Sequence, residues 1–279
     1  VLDYQSASPG APRSLVGKFP SEGAESRQAG VSLGNYHREV KFYQNLQARA
    51  QISTPRCFFT DVDEATHEFV LIMEDLAPAE QGDQLAGVDV DAAARVLLEG
   101  AKLHAAFWQD ETLDDFAWVN NTKNAVNPIQ PELIAALWHA FVDRYGARVT
   151  PQARRIGNAM SANLTANEAM RAGTRTLVHA DFRPDNMLFA TQAGGRPVSV
   201  VDWQSFGYGP GASDIGYFIA GALPAELRRA HERELLGLYT DELERRVRLG
   251  RRRRILQGLE SEGQHLDRPL RVGSASIRP

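Results

Sequence analysis

The segment Leu177-Val178-His179-Ala180-Asp181-Phe182-Arg183-Pro184-Asp185-Asn186, answered further on by Val200-Val201-Asp202-Trp203, constrains this chain more than any other part of it. Thr176 to Val178 is an apolar run that ends at Asp181. Met187 to Ala190 and Val198 to Val201 are short apolar runs on either side of Thr191 to Pro197, where Gly194-Gly195 signals a turn. Together they predict a hairpin. With its centre near Gly194, positions 186 and 202 face each other, and directly opposed residues have Cα atoms about 4.5 to 5.5 Å apart. Three oxygen-bearing side chains distant in sequence, Asp181, Asn186 and Asp202, are thereby expected around one point.

That set suits phosphoryl transfer. A nucleotide donor needs a magnesium ion on its phosphates and a carboxylate near the attacking hydroxyl, while the protein contributes mainly positioning and charge. Asn186 and Asp202 offer hard oxygens of the kind Mg²⁺ takes at roughly 2.1 Å, and Asp181 is placed to orient or deprotonate an acceptor. Taken singly, an Asp or Asn is more often a turn residue than a ligand. The combination argues otherwise: an apolar strand, His179-x-Asp181, a fixed step to Asn186, a hairpin, then Asp202 past a buried strand.

The segment resembles the aminoglycoside phosphotransferase and choline-kinase-like superfamily, most closely its ecdysteroid-kinase-like branch, in which H-x-D-x4-N precedes D-[FW]-[EQ] and then P-x3-D. The last element is Pro210-Gly211-Ala212-Ser213-Asp214 here, and the likeness runs from about Leu15 to Leu223. It implies an α+β, two-lobed protein-kinase-like fold, with a small antiparallel-sheet N-lobe and a larger, mainly helical C-lobe. By the same resemblance ATP and Mg²⁺ are the cofactors, Asp181 is the catalytic base, Asn186 and Asp202 hold the metal, and His179 braces the loop. Ala180 stands where glycine is usual, a small change unless that residue needs positive φ.

Upstream, Arg13 to Phe19 reads as a strand stopped by Pro20, with Lys18 on the face opposite Leu15 and Phe19. Ser21 to Gly34 reads as loop, and Asn35 as the cap of a helix carrying Tyr36, Val40, Tyr43 and Leu46. In the family resembled, a strand lysine contacts the nucleotide phosphates and is held by a helix glutamate, which implies Lys18 and Glu39. Phe58 to Asp61 and Glu68 to Met73 read as strands leading to the lobe junction. There the resemblance implies adenine binding at the Glu74 carbonyl and Leu76 amide, with Met73 packing nearby. Helices are expected over Val90 to Trp108, Pro131 to about Tyr145, Pro151 to Ala172, Asp214 to Ala222 and Pro224 to about Arg246. His104 reads as a hydrogen-bonded core histidine, Trp108, Trp118 and Trp138 as core rather than acceptor-pocket residues, and Asp110, Glu111, Asp114 and Asp115 as a solvated loop. Asp214 reads as a helix cap that, by the resemblance, also braces the catalytic loop. Arg183 is left between a phosphate and an acid partner.

The organisation expected is a nucleotide-binding lobe over 1–76, a catalytic lobe over 77–250 and a basic tail over 251–279. Only seventeen residues precede Lys18, so the first strand and the glycine-rich phosphate loop of related folds are expected to be missing, with Val1 to Tyr4 as the end of a second strand. Arg245 to Arg254 holds seven arginines, and beyond Gly258 no helical period is legible, which reads as a solvated tail. A net charge of -4 gives no general attraction to nucleic acid or anionic membrane. The one cysteine, Cys57, reads as a packing residue and excludes an intrachain disulfide, and the longest clear apolar run, Phe69 to Met73, is too short to span a bilayer. The expectation is a soluble cytoplasmic phosphotransferase acting on a small hydroxylated acceptor. The alternatives are an inactive nucleotide-binding module and, last, a metallohydrolase built on His179, Asp181, Asp185 and Asp202.

Overall fold

Strands β1 (Leu15–Lys18), β2 (Cys57–Val62) and β3 (Phe69–Glu74) form an antiparallel sheet in the order β1-β3-β2 in this computed structural model, which describes residues 11–119, 131–164 and 173–266. The expectations for Val1 to Tyr4, for the end of the helix after Pro151 and for the last part of the tail lie outside the described residues. Central β3 shows the period of two that a half-covered strand requires: Phe69, Leu71 and Met73 are buried and the residues between them less so. Lys18 pairs across the ladder with Leu71 and Val16 with Met73.

Helix α2 (Asn35–Lys41) lies on this sheet and continues as a π-turn, Phe42–Leu46, and a 3-10 turn, Gln47–Arg49. Val40, Phe42, Tyr43 and Leu46 carry its apolar face into the core. Two expectations are corrected here. The presumed loop before α2 contains a helix, α1 (Ala24–Ser32), which buries only Gly30. It left almost no amphipathic pattern to read. A Cβ on Gly30 would sit 2.5 Å from Cζ of Tyr36, so α1 docks through a residue with no side chain. Asn35 is not the cap of α2 but its first residue, because Gly34, at φ +67, makes the left-handed turn between the helices.

The larger lobe is built on α3 (Val90–Ala106), capped by Asp89, whose Oδ1 accepts from the Ala92 amide at 2.6 Å. Val96, Leu97, Ala101 and Leu103 are fully buried. Against α3 pack α6 (Ala212–Ala222) and α7 (Ala225–Leu266). Helices α4 (Pro131–Tyr145) and α5 (Pro151–Ala162) pair with each other, Trp138 covering Gly157 and donating to Asn158 Oδ1 at 2.7 Å. Trp108 and Trp118 pack against the core. Cys57 is half-buried, and burial pushes its thiol up from the ordinary value. Among the described residues no helix is long and apolar enough to cross a membrane.

Helix α7 extends well past the expected end near Arg246. Arginine is a good helix former, and Glu242 with Arg245 and Arg246, and Glu244 with Arg248, make i,i+3 and i,i+4 pairs along it. In the acidic stretch Glu111 and Asp115 are exposed as expected, but Asp110 and Asp114 are not free in solvent. Asp114 is buried and takes both Arg175 Nη1 and Nη2, at 3.0 and 2.8 Å, while Asp110 pairs with Arg49.

The remaining strands position the site. β4 (Glu80–Gln81), β6 (Met187–Thr191) and β7 (Gly194–Val200) form a second sheet in the order β4-β6-β7, and β5 (Thr176–Val178) pairs with β8 (Gly207–Gly209). The expected hairpin is present with its register moved by one. Its turn is Gln192-Ala193, Met187 pairs with Val200, and the ladder slips between Phe189 and Thr191. Asn186 consequently meets Val201, whose amide donates to its carbonyl at 2.9 Å, rather than Asp202. Between the Phe189 and Thr191 pairs Ala190 alone opposes Gly195 to Pro197, two extra residues on β7, an even number that leaves no trace in a hydrophobic period of two.

Candidate active site

Lys18, at the end of β1, makes the first link between elements. Its Nζ donates to Glu39 Oε2 of α2 and to Asp202 Oδ1, each at 2.7 Å, although 184 residues separate Lys18 from Asp202. Glu39 is 1% exposed. Burial pushes its carboxyl up, opposed by the Lys18 ammonium and the Trp203 amide that donates to it. Burial would lower Lys18, but the two carboxylates outweigh it and hold its proton above the ordinary value. The desolvation penalty therefore falls on the carboxylate side of the pair, where the exposure is least.

The segment after β7 is fastened to α2. Asp202 adopts φ +65, and Gln204 Nε2 donates to its Oδ2 at 3.1 Å. Arg38, a buried cation on α2, donates to the Gln204 carbonyl at 2.7 Å and to Leu33 O at 3.0 Å, and burial lowers its guanidinium from the ordinary value. Between these, Trp203 stacks on Phe42 with ring centroids 3.9 Å apart and planes within 3°, and meets the His179 ring edge-on at 4.7 Å. Aromatic packing thus sets the relation of α2, Asp202 and the loop around Asp181.

That loop follows β5. Asp214 accepts from the His179 amide at 2.7 Å and the Ala180 amide at 2.9 Å, and Ala180 takes φ +64, turning the chain so that Asp181 leaves the core. Asp214 does not cap its own helix: Gly211 is the N-cap of α6 and Asp214 lies in the first turn, braced against the loop instead. His179 Nε2 meets the Val201 carbonyl at 3.0 Å, and its Nδ1 accepts from the Asp181 amide at 3.3 Å. Both ring nitrogens are engaged, which leaves His179 a brace rather than a metal ligand. Among the described residues no group of three or more His, Cys, Asp and Glu side chains is disposed to hold a metal ion, so the metallohydrolase arrangement finds no support there.

Asp181 and Asn186 are joined directly. Asn186 Nδ2 donates to the Asp181 carbonyl at 2.9 Å and to Asp181 Oδ2 at 2.8 Å, so the carbamoyl oxygen remains as an acceptor. Arg183 places Nε 3.3 Å from Asp181 Oδ1 and Nη1 3.5 Å from Asp185 Oδ2, which makes it a partner of acids. The oxygen of Asn186 and the carboxylate of Asp202, whose Oδ1 and Oδ2 accept from Lys18 and Gln204, are hard oxygens of the kind a magnesium ion takes.

The junction residues stand apart from this cluster. Met73 is buried, the Leu76 carbonyl accepts from the Ala79 amide at 3.0 Å, and the Glu74 carboxylate is taken by Arg196 Nη2 of β7, at 2.7 and 2.6 Å, and by the Arg56 amide at 3.0 Å. Arg196 also donates to the Thr54 carbonyl at 2.8 Å. Sequence reasoning missed Arg38, Gln204 and Arg196. Gln204 was visible as the last letter of the D-W-Q motif, whereas Arg38 and Arg196 act through carbonyls and a distant acid that no local spacing announces.

The sequence model of the ecdysteroid kinase-like family matches residues 2–250. Among solved structures the chain is similar to the GDP and kanamycin complex of APH(2")-IIia, with 17% identity, a TM-score of 0.51 and coverage of 90% of this chain and 82% of that one. It is also similar to the GDP complex of wild-type aminoglycoside 2'-phosphotransferase-IIIa, with 16% identity, a TM-score of 0.50 and coverage of 90% and 81%. A third is the choline kinase LicA from Streptococcus pneumoniae, with 13% identity, a TM-score of 0.45 and coverage of 88% and 86%. No curated protein matches. The small antiparallel sheets, the mainly helical remainder and the likenesses to the two aminoglycoside phosphotransferases together make this an α+β, two-lobed, kinase-like fold.

Proposed function

The chain belongs to the ecdysteroid kinase-like family, and from that premise we propose that it is an ATP-dependent phosphotransferase that moves the γ-phosphoryl group to a hydroxyl of a small molecule. The observation that supports this reading is a pair of side-chain clusters at the two ends of one hairpin, joined by the Val201 amide that donates to the Asn186 carbonyl. Lys18 is tied to Glu39 and Asp202, and Asp202 follows the hairpin whose other end, Asn186, holds Asp181. A chain that needed these residues only as surface charges or turn caps would have no reason to gather them.

Asp181 is the base. Its carboxylate, oriented by Asn186 Nδ2 on Oδ2, accepts the acceptor's hydroxyl proton as the hydroxyl oxygen attacks the γ-phosphorus. The bond from phosphorus to the β,γ-bridging oxygen breaks, and its electron pair leaves with ADP. Lys18, kept protonated by its two carboxylates, faces the nucleotide's phosphates, while Glu39 fixes its direction. Asn186 and Asp202 would hold magnesium, which when bound neutralises phosphate charge. Met73, Glu74 and Leu76 are the adenine segment in this reading, Glu74 and Leu76 through their backbone. The likenesses to aminoglycoside and choline kinases support a small acceptor without selecting one.

Asp181→Asn is the test. It is expected to lower turnover by about 10²- to 10⁴-fold on any acceptor that the wild type consumes with ATP, and to leave nucleotide affinity measured by calorimetry unchanged. Full activity in the variant would remove the assignment.

A further inference from the structure

Asp214 holds the loop that presents Asp181, and something must hold Asp214. Its Oδ2, which takes the His179 amide, lies 3.3 Å from Nε2 of His104 on α3. On the far side of that imidazole, Nδ1 lies 2.9 Å from the hydroxyl of Tyr239 on α7. His104 is 0% exposed, and Asp214 and Tyr239 are buried as well. A carboxylate accepts only, so in the neutral ring Nε2 carries the hydrogen and Nδ1 accepts from the Tyr239 hydroxyl. The opposite tautomer would set the lone pair of Nε2 against the carboxylate. The ring has little room to adjust: its backbone carbonyl accepts from Thr176 Oγ1 at 2.7 Å, and a Cβ on Gly211 would stand 2.9 Å from Nδ1. Position being fixed, the remaining variable is which nitrogen bears the proton: Asp214 requires it on Nε2, and the Tyr239 hydroxyl completes the arrangement by donating to Nδ1.

We propose that Tyr239 is a positioning residue for the transfer reaction: its hydroxyl, donating to Nδ1, holds the His104 ring where Nε2 donates to Asp214, and Asp214 in turn sets the His179-Ala180 turn that aims Asp181. The inference rests on the phosphotransferase reading for its kinetic consequence but not for its structural one. Tyr239 belongs to α7, away from the substrates, and reaches the loop only through two intervening side chains.

The experiment uses the full chain. Nitrogen-15 NMR of labelled histidine reads the His104 tautomer in the wild type and in Tyr239→Phe, and steady-state kinetics reads kcat and the KM for ATP. The wild type is expected to carry the proton on Nε2. Tyr239→Phe is expected to keep that tautomer, which Asp214 requires, and to lose roughly three- to tenfold in kcat with the ATP KM unchanged, the equivalent of one neutral hydrogen bond. His104→Gln, whose amide nitrogen can still donate towards Asp214, should retain more kcat than His104→Leu. A wild-type proton on Nδ1, an unaltered kcat in folded Tyr239→Phe, or equal losses in the Gln and Leu variants would each overturn the proposal. Absence of any transferase activity in the wild type would defeat the function proposed above, and the tautomer measurement would still decide this inference. A Tyr239→Phe chain that does not fold leaves the wild-type tautomer and the Gln-Leu comparison to decide it.

Discussion

Replacing Ala180 by glycine should stabilise the protein, and the size of the effect follows from one dihedral angle. Ala180 sits at φ +64 immediately before Asp181. An L-residue in the left-handed region costs roughly 1–2 kcal/mol relative to the right-handed one, because its Cβ crowds the following carbonyl. Glycine removes that cost and loses about 0.4–1 kcal/mol through a freer unfolded chain. The Ala180 methyl is exposed, so no packing goes with it, and the amide that donates to Asp214 at 2.9 Å is kept. The balance is a gain of about 0.5–1 kcal/mol, a rise in melting temperature of roughly 1–3 °C for a chain of this size. Urea unfolding read by circular dichroism should show a higher midpoint with an unchanged slope. Ala180→Val should move the other way, since a β-branched residue tolerates positive φ least. Equal stability in all three chains would mean that the turn at Ala180 does not carry the strain assigned to it.

Phe42→Ala is expected to cost about 3–5 kcal/mol in denaturant unfolding, since the fully buried ring and its stack on Trp203 are both lost. Lys18→Met tests pH linkage: the folded-state pKa of Lys18 is raised, so its ion pairs stabilise fully below the ordinary 10.5 and are lost as pH rises through the folded value. The alkaline loss of stability in the wild type should therefore be absent from the variant. Glu242 is held down to about 2 by Arg245 and Arg246, so its contribution is present above the ordinary 4.5 and disappears as pH falls towards about 2. NMR titration of its carboxyl should show that depressed value, moving upward in high salt because its partner Arg245 is more than half exposed. Arg196→Ala should cost no more than about 1 kcal/mol in thermal unfolding, the ceiling for a partly exposed pair.

The loop from His179 to Asn186, the hairpin and the helices α3 and α4 are legible because each follows from a local rule: a motif interval, a glycine turn, an apolar stripe with a capping residue. His104 was rightly read as a core histidine, since an apolar helix face with one polar member implies an internal partner. The failures share a different cause. Helix α1 buries a glycine and leaves no period, the hairpin slip near Thr191 changes register without changing composition, and α7 carries charged pairs through Arg248 where the run of arginines reads as solvated tail. Asp114 was misjudged because its partner, Arg175, lies 61 residues away. The candidate site follows the same division: Asp181, Asn186 and Asp202 are proposed from a motif interval, while Arg38 and Arg196, which bind carbonyls and a remote acid, are visible only in three dimensions.

The slip that moves Asn186 opposite Val201 also separates the ends of the hairpin from its tip. Asn186 precedes β6 and Asp202 follows β7, whereas Gln192 and Ala193 are exposed at the far end, beyond the irregular step. Extra residues spliced into that tip add only a slowly growing closure entropy and leave the paired stretch from Met187 to Phe189 untouched. A fluorophore or short epitope belongs at Gln192-Ala193, where it would ride on the hairpin bearing Asn186 and Asp202 while standing clear of whatever binds between them.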